Sequence, residues 1–161
     1  MAHLDIFNAG LKLPMTDSLI KPDIIENTNN VETSSGSNYF IKYITSLESF
    51  KTKCKNLHWA APKKNIHIYL DDFLVIISDF QDTVAEGYMG VLGKMGPTDI
   101  VPTSCHCLNA KDFIEEVLQC TINFYENIPS MTCYIGIKSE TETFIQNINK
   151  YRYLFSLCDI N

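Results

Sequence analysis

Residues 65–93 read NIHIYLDDFLVIISDFQDTVAEGYMGVLG. Within this stretch Ile66, Leu70, Phe73, Ile77, Phe80 and Val84 follow one another at alternating steps of four and three residues. That rhythm lays one continuous apolar stripe along an α-helix. A strand would need strict alternation, and Asp71, Asp72, Asp79 and Asp82 break it. The stretch therefore predicts a helix from about Asn65 to Gly93 with one face turned to a core. Similar spacing recurs on both sides. Phe40, Ile44, Leu47, Cys54 and Leu57 predict a helix from about Asn38 to Ala60. Phe113, Val117, Cys120 and Phe124 predict a third from about Asn109 to Ile128. Phe144, Ile148, Tyr151, Phe155 and Cys158 predict a fourth from about Ser139 to Cys158. Ser139 and Glu142 have the spacing of a capping box at its start. Gly93, Gly96-Pro97 and Pro129-Ser130 supply the stop signals.

Connection lengths turn these helices into an architecture. The gap between the first and second is short, which predicts antiparallel neighbours, whereas Lys94 to Leu108 is long enough to cross the end of a bundle. The expectation is an all-α, four-helix bundle with one long crossover, spanning residues 38–161. Residues 1–37 stand apart as an N-terminal arm or tail. They hold Asn-Thr-Asn-Asn and Ser-Ser-Gly-Ser and no sustained periodicity, and Lys12 and Lys21 face Asp5, Asp17, Asp23, Glu26 and Glu32 for a net charge of −3.

The charge of the whole chain, −6, argues against a broad footprint for DNA or for an anionic membrane. No run approaches the ~18 apolar residues of a membrane span. The start, Met-Ala-His-Leu-Asp, lacks the basic and apolar segments of a secretory leader, so the expected location is the cytoplasm, with a virion as the alternative. Cys54, Cys105, Cys107, Cys120, Cys133 and Cys158 read as free thiols, since Cys120 and Cys158 occupy apolar helix positions.

The chemistry-bearing residues cluster around the second helix. His67 and Asp71 are four residues apart and share a face, as do Asp82 and Glu86. From Asp71 to Asp82 is close to three turns, so both pairs lie on one stripe but about 16 Å apart along the axis. One helix cannot bring both to a single ion, because ligand distances are near 2 Å. An antiparallel copy across a two-fold axis would set Asp82 and Glu86 of one chain opposite His67 and Asp71 of the other. His58, at the end of the first helix, is expected to fold back beside His67 through the short turn. Imidazole with carboxylate suits iron, manganese or zinc better than calcium.

With His58-Trp59 ahead, His67, Asp71 and then Asp82-Thr-Val-Ala-Glu86, the run resembles the Dps family of ferritin-like proteins. The motif-level similarity covers roughly residues 38–93. The resemblance implies a ferritin-like bundle and an iron-binding, ferroxidase-type site between two subunits of a hollow oligomer, up to a dodecamer. His58, His67 and Asp71 would come from one chain and Asp82 and Glu86 from its partner, with Trp59 beside the ligands. Fe(II), at a di-iron or mononuclear site, would be oxidised there by peroxide or oxygen. Three departures stand out. The loop between the histidines is shorter and carries Pro62-Lys63-Lys64 in place of a Gly, the Arg after Ala-Glu is Gly87, and the arm is acidic where the family's is Lys-rich. DNA binding through the arm is therefore not expected. Glu-x-x-His, the mark of a di-iron centre inside one bundle, is absent.

Blander expectations stand beside these. Trp59 reads as a packed aromatic. Lys51, Lys53 and Lys55 read as a solvated face, and Asp72 and Asp79 either extend the acidic stripe or keep one face wet. Cys105-His106-Cys107 lacks the pairing of a zinc finger, and His3 belongs to the arm. The competing function is a structural oligomer, such as a virus or phage ring component, that uses the bundle for assembly. A third is a zinc or manganese module without redox work.

Overall fold

A computed structural model of the chain describes residues 33–96, 100–102 and 109–158, with side chains from Tyr39 onward. The rest of the arm, His3 and Cys105-His106-Cys107 lie outside the described residues. The described residues are helical, with no strand among them: α1 (Thr33–Ala60), α2 (Lys64–Leu92), α3 (Ala110–Asn127), a 3-10 turn (Thr132–Tyr134) and α4 (Ile135–Leu157). The second and third helices match the sequence reading closely. α2 stops at Gly93, whose φ of 99° is the left-handed conformation that glycine adopts without strain. α3 is capped by Asn109, which accepts from the backbone N–H of Lys111 and Asp112.

Both other helices begin earlier than expected. α1 starts at Thr33 rather than Asn38, so the last residues of the predicted arm are helical. α4 starts at Ile135 because the 3-10 turn at Thr132–Tyr134 leads directly into it. Ser139 is therefore inside the helix and is not its cap. Its carbonyl accepts from the Thr143 hydroxyl, and Glu142 accepts from the Tyr125 hydroxyl at 2.5 Å.

α1 packs on α2, α2 on α4, α4 on α3 and α3 on α1, which makes a closed ring of four helices. Directions follow from who meets whom. Tyr43 bonds Thr121 while Lys53 bonds Glu116, so α3 runs against α1. α2 also runs against α1, across the short Ala61–Lys63 link. Hence α2 and α3 are parallel, and the end of α2 and the start of α3 lie at opposite ends of the bundle. Phe73, Ile77 and Val84 of α2 are fully buried, as are Phe113 and Val117 of α3 and Ile148 of α4. The interior is filled by rings: Phe80 stacks on Phe144 at 4.0 Å and Tyr43 on Phe124 at 3.9 Å. Each such pair adds about 0.5–1.5 kcal/mol beyond area burial. Ile66, Leu57 and Cys120 sit at the stripe edges, half-buried.

Lys53 corrects the expected solvated lysine face. It is buried and its ammonium meets both oxygens of Glu116 at 2.5 and 2.6 Å, so the charge entering the interior has a counter-charge. Cys54, Cys120, Cys133 and Cys158 are free thiols.

Candidate metal centre

The Ala61–Lys63 link brings His58 and His67 face to face, with ring centroids 3.6 Å apart. Their backbones lock them reciprocally. His58 Nδ1 lies 3.0 Å from the His67 carbonyl oxygen, and His67 Nδ1 lies 2.9 Å from that of His58. A carbonyl oxygen carries no proton, so each Nδ1–H is the donor. In a neutral ring that assignment leaves Nε2 with its lone pair, the form that binds a metal, and a carbonyl on the other nitrogen is the support that metal-binding histidines ordinarily use. His58 is buried and His67 exposed.

The link itself is anchored from α4. Lys63 donates to the Cys158 carbonyl at 2.7 Å, and Asn65 donates to the Cys158 thiol sulfur at 3.1 Å. Beneath the histidines Cys54 donates to the Leu70 carbonyl at 3.2 Å, and burial pushes its thiol up from 9.0 to about 12.

Asp71 completes this end of α2. Its Oδ1 lies 3.8 Å from His58 Nδ1 and 3.4 Å from Lys55 Nζ. Asp82 and Glu86 occupy the same outer face further along and are exposed; among the described residues no side chain bonds or pairs with either. Ile68 and Val75 share that face and are exposed to 44 % and 58 %. The chain thus brings His58, His67 and Asp71 together and leaves Asp82 and Glu86 remote. Among the described residues no three His, Cys, Asp or Glu side chains converge on a common point. Imidazole and carboxylate are donor types that suit first-row transition ions, but the described part of this chain does not by itself gather enough of them around one point to hold such an ion.

Trp59 departs from expectation. One residue past the inward-facing His58, it is turned about 100° round the helix, and it is 70 % exposed with Lys55 Nζ 5.9 Å from its ring centre. Neither a packed aromatic nor a contact of the histidines, it stands beside the site in solvent. Gly87 has a structural reason. A Cβ there would sit 2.7 Å from Ile137 Cγ1 and 2.9 Å from its Cδ1, so the early first turn of α4 occupies the space a larger side chain needs. Two features escaped the sequence reading: Lys55 resting on Asp71, and Gln81 buried where its amide donates to the Ile44 carbonyl at 3.0 Å. The Lys55–Asp71 pair has no fixed spacing to reveal it.

Comparison with protein-family models, with curated proteins and with solved structures returns no match.

Proposed function

We propose that this chain is a ferritin-like subunit of the Dps type that binds and oxidises iron at a site shared between two-fold-related copies. The observation that carries the reading is the His58–His67 pair with both Nδ1 positions tied to carbonyls. Supporting it, the up-down-down-up helix order with one long crossover is that of ferritin-like bundles. Because His67–Asp71 and Asp82–Glu86 are both four-residue pairs, one antiparallel register sets His67 opposite the partner's Glu86 and Asp71 opposite the partner's Asp82. The axis then falls between Ile76 and Ile77. The two copies of Val75 would then lie about 4.5 Å apart measured along the helices, which gives that exposed side chain an apolar neighbour.

Iron here is substrate and cargo. Histidine nitrogens and carboxylates would hold Fe(II), and peroxide would take one electron from each of two irons. That two-electron reduction avoids the single-electron route to hydroxyl radical. Zinc or manganese would occupy the same donors without redox turnover. A structural oligomer, in a virion or elsewhere, is the second reading. The observation favouring it is the Lys55 ammonium, which already compensates Asp71.

An anaerobic Fe(II) titration followed by a peroxide pulse, read by absorbance, tests the proposal. Wild-type protein should bind iron and oxidise it rapidly, and Asp82→Ala should slow oxidation by about 100-fold. A folded, oligomeric protein that binds no Fe(II) would leave assembly as its role.

A further inference from the structure

Resting on that iron-site reading, we propose that Lys55 is a resident counter-ion at Asp71 that a divalent cation must displace, so that it sets how tightly the site takes its metal. Three lysines project from the same stretch of α1, and they are held differently. Lys51 has two acceptors, Glu48 at 2.9 Å and Gln81 at 3.0 Å. Lys53 is buried on both oxygens of Glu116. Lys55 reaches one carboxylate oxygen at 3.4 Å, and its side chain is 38 % exposed. It is the loosest of the three and has room to swing on its flexible stem. A second resting place is near. The Trp59 ring, one helical turn on, offers a face on which an ammonium is stabilised when it leaves a carboxylate.

The oxygen that Lys55 touches lies beside the His58 ring, 3.8 Å from its Nδ1, so the ammonium sits at the histidine end of the site. A divalent ion bound at Asp71 would stand within a few ångströms of Nζ, and two cations at that distance repel. Metal entry therefore requires Nζ to move off. In the metal-free chain the ammonium compensates a carboxylate that has no other cation as near among the described residues. The second reading of the protein takes this pair as a substitute for metal. Its long distance and exposure mark it instead as a competitor that yields.

Cobalt(II) is the probe, added to the full chain in its native oligomeric state and followed by quenching of Trp59, the sole tryptophan, and by calorimetry. Lys55→Gln should bind cobalt(II) about three- to tenfold more tightly than wild type. That gain should shrink toward nothing at about 1 M salt, where surface charges are screened. Lys55→Arg, which keeps the charge, should stay near the wild-type affinity, and all three proteins should melt alike. Unchanged or weaker binding by Lys55→Gln, in a protein whose binding is abolished by Asp71→Asn, would overturn the role of Lys55 and leave the metal site standing. Absence of cobalt(II) binding in wild type and Lys55→Gln alike would overturn both.

Discussion

The two ends of α2 carry matched pairs of ligand-type side chains, and the fold treats them in opposite ways. At the N-terminal end His67 and Asp71 are joined by His58 from α1, with both imidazoles tied to backbone carbonyls and Lys55 on the carboxylate. At the C-terminal end Asp82 and Glu86 face solvent with no described side chain bonded to them. One end is organised by its own chain; the other has no partner among the described side chains. Bare carboxylates on a helix face are ordinary. Here they stand at the spacing that complements an organised pair, on the same face, beside exposed Ile68 and Val75, which is the arrangement the proposed two-fold site needs.

The largest expected effect removes the difference, because the inner faces of the two ends are alike. Cys54 lies beneath the histidine end, and burial raises its thiol from 9.0 to about 12. Tyr39 and Tyr43 lie at the other end, beside Phe80 and Tyr88 through Tyr43 and Phe40. Burial raises Tyr39 from 10.0 to about 12 and Tyr43 well above 10.0. These groups are neutral when protonated, so the folded state keeps protons that the unfolded chain releases. Their contribution is complete below about pH 9 and is lost as pH rises toward 12. Thermal midpoints measured across that window should fall steadily in wild type, and a flat profile would contradict the assignment.

A smaller effect separates the ends. His58→Ala removes a buried ring and both of its polar contacts, and should lower stability by about 1–2 kcal/mol in denaturant titration. Glu86→Ala, which removes no contact within the described chain, should stay within about 0.5 kcal/mol of wild type. Equal losses at the two positions would erase the distinction between an organised end and a bare one.

How much of this was legible in the sequence follows from how local each determinant is. The stripe of Leu70, Phe73, Ile77, Phe80 and Val84 needs only the helical period, and all of these residues are buried. His58 folding back on His67 needs only a short link. The burial of Lys53 was not legible, because its counter-charge Glu116 is far along the chain and arrives through the packing of α3. Trp59 read as packed because aromatics usually are; its exposure follows from His58 taking the inward position one residue earlier. Ser139 and Glu142 carry a cap's spacing but lie inside α4, since the 3-10 turn had already started that helix. The absence of an Arg after Glu86 was visible, but its reason, Ile137 pressed against Gly87, belongs to tertiary packing.

Subunit complementation tests the shared site most directly. Chains carrying His67→Ala with Asp71→Ala are mixed with chains carrying Asp82→Ala with Glu86→Ala, dissociated, reassembled and assayed for Fe(II) oxidation. Each parent should be inactive. Each mixed pair should rebuild one site, from the histidine end of one chain and the acid end of the other, so random reassembly should restore about a quarter of wild-type activity. Reassembled oligomers no more active than the parents would contradict a centre built between the two ends of α2.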